Sequence, residues 1–186
     1  RLPGFNTPPS LVIDTSNGMA GMIVRHLFGD RPAYLNELPD GRFPAHEPNP
    51  LDPASRQQLV SHVLQRNAAL GMIFDGDGDR VMFVDEKGTF ISPDLLIALL
   101  GHLMLEGTRG QAVLQDIRSS RSVAAYLARW DARVVTWKVG RAFAARRLRA
   151  LQGVYGGELA GHYYFQDFFY SDSGMLAAMR ICEVFS

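Results

Sequence analysis

The sequence predicts an α/β protein: two similar three-layer α/β domains, each a mixed sheet with flanking helices. Three observations lead there. Short apolar strand-like runs alternate with helix-like segments along all 186 residues, the pattern of sheets covered by helices. Hydrophobic residues make up 47% of the chain, enough for a real core and too much for long disorder. A strong helix start at Ser92-Pro93, a serine N-cap with proline at the first helical position, divides the chain into residues 1–91 and 92–186. The second stretch repeats the element order of the first, although no residue-level repeat is visible.

The elements follow in order. Leu11-Val12-Ile13-Asp14 is a short apolar strand ending in the turn Thr15-Ser16-Asn17-Gly18, and a small-residue helix from about Met19 to Phe28 follows. Tyr34 to Leu38 reads as a second strand. The four prolines between Pro39 and Pro50 make that stretch a loop. Ser55 to Asn67 reads as a helix, then Gly71 to Phe74 and Val81 to Asp85 as strands, with a turn at Glu86-Lys87-Gly88. In the second stretch a helix runs from Ser92-Pro93 to about Glu106. A strand at Ala112–Ile117, a helix at Ser120–Trp130 and a strand at Arg133–Thr136 follow it. Arg141 to Leu151 is a basic helix, Val154-Tyr155 begins another strand, and Asp172 to Phe185 is a final helix.

Composition narrows the function classes. Lys plus Arg and Asp plus Glu both number 19, so no electrostatic footprint marks nucleic acid or an anionic membrane as partner. The one cysteine, Cys182, excludes an intrachain disulfide and fits a reducing, cytoplasmic compartment; at helical spacing it reads as a buried apolar side chain. The longest apolar run, Leu95 to Leu105, is broken by Gly101 and His102 and is shorter than the ~20 residues a bilayer span needs. No signal peptide is visible at Arg1-Leu2-Pro3-Gly4. The chain opens in linker-like sequence and stops at Ser186 inside a helical pattern, as a piece of a longer protein would.

The most informative run is Asp75-Gly76-Asp77-Gly78-Asp79-Arg80. Three carboxylates alternate with glycines between two apolar strands. Like charges this close are unfavourable unless a cation neutralises them, and hard oxygen ligands select Mg²⁺ or Ca²⁺. An EF-hand, and with it a Ca²⁺-binding structural protein, is the nearest rival. Glu86 falls at the twelfth loop position, but Arg80 stands at the sixth, where the sharp turn needs glycine, and the flanks read as strands. Asp75, Asp77 and Asp79 without a fourth carboxylate make an open site that a phosphate oxygen could complete, and Arg80 beside it could hold another phosphate oxygen. A second loop, Gly156-Gly157-Glu158-Leu159-Ala160-Gly161-His162, offers Glu158 as acceptor for sugar hydroxyls and His162 as donor or acceptor.

Together the two loops resemble the α-D-phosphohexomutases. The carboxylate loop is similar to their metal-binding loop. Gly157-Glu158-Leu159-Ala160-Gly161-His162 is similar to their sugar-binding loop, usually Gly-Glu-x-Ser-Gly-His. Asp14-Thr15-Ser16-Asn17-Gly18 and the loop from Asp40-Gly41-Arg42-Phe43-Pro44 to Pro48-Asn49-Pro50 also resemble the family, as do Lys138 and Gly140 its Lys-x-Gly-His loop. The run from Tyr155 through Tyr163-Tyr-Phe165 to Ser171-Asp-Ser-Gly174 is most like the bacterial phosphomannomutases. The resemblance covers nearly the whole chain and implies the second and third of four domains: residues 1–91 as the metal-loop domain and 92–186 as the sugar-loop domain.

It further implies Mg²⁺ on Asp75, Asp77 and Asp79, with Arg80 near the transferring phosphate and Glu158 reading sugar hydroxyls. Arg118 and Arg141 stand at substrate-contacting positions, and Lys138 or His162 would be the acid/base group. The implied substrates are hexose phosphates: mannose or glucose 1- and 6-phosphate and a hexose 1,6-bisphosphate. A phosphoserine would pass the phosphate between O1 and O6. Departures are Ala160 for a sugar-contacting serine and Arg141 for the last histidine of Lys-x-Gly-His. Nothing resembles the Thr/Ala-Ser-His-Asn phosphoserine loop or the fourth domain's phosphate loop, so domains I and IV of the parent chain would be needed and the present residues alone would be inactive. A non-catalytic sugar-phosphate-binding homologue, or a phosphoglucosamine mutase, is the alternative.

Overall fold

A computed structural model describes residues 10–184. The opening Arg1-Leu2-Pro3-Gly4 and the expected helix end at Phe185, with Ser186, lie outside them. The chain divides into two compact units: Arg1–Ile91 with Gly174–Ser186, and Ser92–Ser173. Each unit is a mixed sheet with flanking helices.

In the first unit, β1 (Leu11–Asp14), β2 (Ala33–Leu35), β3 (Leu70–Phe74), β4 (Val81–Asp85) and β5 (Phe90–Ile91) form one sheet in the order β2-β1-β3-β4-β5. β2 and β3 flank β1 in parallel, and β4 and β5 run antiparallel to their neighbours. The apolar strands are buried on both faces, as strands covered by helices must be. α1 (Val24–Phe28) and α2 (Gln57–Arg66) are its helices. Leu59 and Val63, one turn apart on α2, pack with Val12, Ile73, Met82 and Val84. A final helix, Gly174–Glu183, packs on β4. The sequence grouped that helix with the second stretch; its contacts group it with the first unit. Cys182 is buried on it, and burial pushes its thiol up to about 12, which suits packing and not reactivity.

In the second unit, β6 (Ala112–Asp116), β7 (Arg133–Trp137), β8 (Tyr155–Gly157) and β9 (Tyr163–Phe165) form a sheet in the order β7-β6-β8-β9. β7 and β8 are parallel to β6, and β9 is antiparallel to β8. α3 (Pro93–Leu105), α4 (Arg121–Leu127) and α5 (Arg141–Ala150) complete it, and Ala144 and Leu148 of α5 pack on Leu114 and Tyr164. The Ser92 cap is real: its hydroxyl accepts from the Asp94 amide at 3.3 Å, and Ser120 caps α4 in the same way at 3.1 Å.

The two units share one topology. In each, the first strand is central, the chain crosses to one side of it and then to the other, and the third strand turns back in a hairpin. The point between β1 and β3, or between β6 and β8, is therefore a topological switch, where open α/β sheets bind ligands beyond the strands' carboxyl ends. Differences from the sequence-based elements are local. Residues Met19–Met22 are 3-10 helix before α1, and Ala128–Trp130 are 3-10 helix after α4. The two-residue β5 and the three-residue β9 are too short for a periodicity to show. No described helix is long and apolar enough to cross a membrane.

Candidate functional site

The carboxylate loop closes the β3–β4 hairpin, so its flanks are antiparallel strands and not the helices of an EF-hand. Asp75, at the carboxyl end of β3, is buried. Its Oδ1 accepts from the Gly78 and Arg80 amides at 3.0 and 3.1 Å, and its Oδ2 accepts from Arg80 Nε at 2.6 Å. Asp75 therefore holds the loop's shape as well as offering charge. Gly78 sits at φ +79°, a left-handed conformation that glycine adopts without the Cβ clash, and this lets the loop turn back. One oxygen each of Asp75, Asp77 and Asp79 lie within 4.8 Å of one another.

That spacing suits a small divalent cation. Oxygens at ~2.1 Å around an octahedral centre lie about 3.0 Å apart when adjacent and about 4.2 Å apart when opposite. The donors are all carboxylates, which favour hard cations. Three residues could hold such an ion here through one oxygen each.

The loop after β1 braces the metal loop. Ser16 Oγ donates to the Phe74 carbonyl at 2.6 Å, and the Met19 amide donates to the Gly76 carbonyl at 2.9 Å. Gly18 lies so close that a Cβ there would stand 2.6 Å from the Gly76 oxygen and 2.9 Å from the Asp75 oxygen. Beneath, Asp14 is fully buried. Its Oδ1 accepts from the Ser16 amide and Asn36 Nδ2, and its Oδ2 faces His46 Nε2 at 3.1 Å. His46 Nδ1 faces the Glu47 carbonyl at 3.0 Å. Both ring nitrogens meet acceptors, so the imidazolium is the form that satisfies them. The hydrogen bond to Asp14 raises the His46 pKa against the opposing effect of burial.

The glycine-flanked loop closes the equivalent β8–β9 hairpin in the second unit. Glu158 is buried, and its Oε1 accepts from the Tyr164 hydroxyl at 2.8 Å. Arg118 Nη2 stands 3.9 Å from Glu158 Oε2. Asp116, buried at the end of β6, binds this corner together. Its Oδ1 accepts from the Arg118 and Ser119 amides, and its Oδ2 accepts from Arg118 Nη2 at 2.6 Å and the Leu159 amide at 3.0 Å. Glu158 and Lys138 line one small cavity with Gln115, Trp137 and Tyr164, and the Lys138 ammonium lies 3.6 Å from the centre of the Phe143 ring.

His162 Nδ1 meets Asp172 Oδ2 at 2.7 Å, and Arg141 Nε meets Asp172 Oδ1 at 2.9 Å. Asp172 thus joins two residues that the sequence treated separately. Ala160 lies half-buried in the loop and brings no side-chain hydrogen bond.

Within each unit, then, the expected residues converge: Asp75, Asp77, Asp79 and Arg80 in the first, and Arg118, Glu158 and Lys138 around one corner of the second. Sequence reasoning missed Asp116, Tyr164 and Asp172. Tyr164 and Asp172 lie inside quoted runs and Asp116 two residues before Arg118, but a buried carboxylate or hydroxyl that orients another group carries no pattern of its own.

The comparisons with known proteins point to one family. The family model "Phosphoglucomutase/phosphomannomutase, alpha/beta/alpha domain II" matches residues 6–88, and the corresponding domain III model matches residues 92–186. A phosphomannomutase of Escherichia coli strain K12 is 36% identical over 186 residues, which covers 96% of this chain and 41% of that protein. A phosphomannomutase/phosphoglucomutase of Pseudomonas aeruginosa is 34% identical, covering 96% and 40%. The crystal structure of a phosphoglucomutase/phosphomannomutase family protein from Burkholderia thailandensis superposes with a TM-score of 0.91 at 31% identity, covering 96% of this chain and 40% of that one. The chain therefore spans about two fifths of the relatives it matches, and it belongs to the phosphoglucomutase/phosphomannomutase family through its domains II and III.

Proposed function

We propose that this chain supplies the metal-binding and sugar-binding domains of a phosphohexomutase that interconverts hexose 1-phosphate and hexose 6-phosphate, with mannose, glucose or both as the sugar. The observation that carries this is the convergence of Asp75, Asp77 and Asp79 within 4.8 Å on a hairpin loop of a family member. Mg²⁺ held there would act as a Lewis acid on the moving phosphoryl oxygens. Arg80 is fixed by Asp75 at 2.6 Å and adds permanent positive charge beside the same oxygens. Glu158 accepts sugar hydroxyls from a buried position. The hydroxyls it reads are those mannose and glucose share, so a 1,6-bisphosphate can meet it in either orientation. His162, oriented by Asp172, and Lys138 are the groups available to move a proton. Arg118 and Arg141 present cations at the carboxyl end of the second sheet, for a sugar or its phosphate. The phosphoserine that donates and recovers the phosphate belongs to the remainder of the enzyme.

The test is an assay of the full-length enzyme with Mg²⁺ and a trace of hexose 1,6-bisphosphate, offering mannose 1-phosphate and glucose 1-phosphate separately. Turnover that disappears in Asp77→Asn establishes the reaction and ranks the sugars. Turnover on glucosamine 1-phosphate alone would move the assignment to a phosphoglucosamine mutase. Binding of hexose phosphate without turnover on any of the three would make the protein a sugar-phosphate binder, a reading that Ala160 and Arg141 favour.

A further inference from the structure

We propose that Tyr164 is a positioning residue for sugar recognition, its hydroxyl pinning the Glu158 carboxylate in one orientation. The proposal rests on Glu158 being the sugar contact. Tyr164 lies on β9, paired with Gly156 of β8. Its ring is fully buried with Leu114, Ala144 and Leu148, while its hydroxyl reaches the hairpin loop and donates to Glu158 Oε1 at 2.8 Å.

Packing alone does not explain that bond. Tyr155 and Tyr163 are equally buried in the same sheet, and their hydroxyls have no hydrogen-bond partner among the described residues. Arg118 does not hold Glu158 in this way. Arg118 Nη2 is 3.9 Å away, beyond hydrogen-bond reach, and is bonded to Asp116 at 2.6 Å. Burial, then the Glu158 charge, raise the Tyr164 pKa far above its ordinary value, so the hydroxyl keeps its proton and remains a donor.

The consequence is stereochemical. The terminal torsion of a glutamate is broad and two-fold, and a freely turning carboxylate would offer its acceptors in no fixed direction. With Oε1 tied to Tyr164, the remaining lone pairs point one way. A sugar that turns over between two phosphoryl transfers then meets the same acceptor in both poses.

The test compares Tyr164→Phe, Glu158→Ala and the double variant in the full-length enzyme. The readouts are kcat, KM and the calorimetric dissociation constant for the hexose phosphate. Tyr164→Phe keeps the ring and removes the donor. The expected result is a KM and dissociation constant about ten-fold higher, the lower range for a hydrogen bond to a charged group, with kcat within about two-fold. Added to Glu158→Ala, it has no further effect.

If Glu158→Ala weakens binding and Tyr164→Phe does not, the Tyr164 proposal is overturned and the role of Glu158 stands. If Glu158→Ala leaves binding unchanged, both fall. Effects that multiply in the double variant also overturn the coupling. Should Tyr164→Phe not fold, site-specific 3-fluorotyrosine at position 164 keeps the shape and strengthens the donor. A shift of two-fold or more in the dissociation constant then supports the proposal, and an unchanged constant overturns it.

Discussion

Asp75, Asp77 and Asp79 share a loop but differ in what surrounds them, and that difference separates binding from stability. Asp75 is buried and accepts from two amides and a guanidinium, whereas Asp77 is exposed. Asp77→Asn should therefore abolish measurable Mg²⁺ binding in a calorimetric titration while changing unfolding free energy by less than about 0.5 kcal/mol, the usual range for surface changes. Asp75→Asn should lose Mg²⁺ and also about 2–4 kcal/mol, because it leaves Arg80 partly buried without its counter-charge. Equal destabilisation by the two would contradict this division of labour. Gly18→Ala tests the brace. Its Cβ would stand 2.6 Å from a backbone oxygen of the metal loop, and backbone cannot move aside as a side-chain tip can. A Mg²⁺ affinity lowered at least ten-fold, with all three carboxylates intact, is the expected outcome.

The hairpins after β3 and β8 occupy the same place in two copies of one topology. One carries the three clustered carboxylates and the other the glycine-flanked loop with Glu158. The first strands of the two units, β1 and β6, end in matching buried aspartates: Asp14 accepts from the amide two residues on, and so does Asp116. This correspondence explains what the sequence did and did not disclose. The carboxylate and glycine-flanked loops were legible because their residue types are unusual and contiguous, and strands such as Val81–Asp85 because they are apolar throughout. The repeat was legible as a repeated element order but not residue by residue, since it is carried by topology and one buried aspartate per unit. His46, paired with Asp14, is also where a pH dependence should appear. The folded-state pKa of His46 is raised by Asp14, so the protonated pair stabilises the first unit fully below the ordinary value near 6.5. That contribution is lost as pH rises through the raised folded value. The thermal midpoint should therefore fall on going from about pH 6 to pH 8, and His46→Gln should flatten that part of the profile. An identical slope in the variant would assign the dependence elsewhere.

At the scale of the whole molecule, the two units carry the residues proposed to meet the cation and the sugar, and the reading assigns the covalent phosphate to another part of the enzyme. Phosphoryl transfer through an enzyme-bound intermediate needs a nucleophile that the substrate oxygen can reach. Four of the chain's eleven serines have structural roles: Ser16 donates to the Phe74 carbonyl, Ser55 to the Glu47 carbonyl, and Ser92 and Ser120 cap helices. The 186 residues should therefore bind one Mg²⁺ per chain through Asp75, Asp77 and Asp79 yet convert neither mannose 1-phosphate nor glucose 1-phosphate, even with 1,6-bisphosphate supplied. A coupled assay on this chain, run beside the full-length enzyme, checks it. Turnover by the 186 residues at a rate comparable to the full-length enzyme would mean that one of the chain's serines, or a carboxylate now assigned to the metal, carries the phosphate. Mass spectrometry of the chain after exposure to the 1,6-bisphosphate would then identify it as a stable +80 Da adduct on serine or its absence, since an aspartyl phosphate hydrolyses during work-up. An inactive chain that still binds Mg²⁺, with Asp77→Asn abolishing that binding, would separate the two halves of the chemistry: cation and sugar here, covalent phosphate elsewhere in the enzyme.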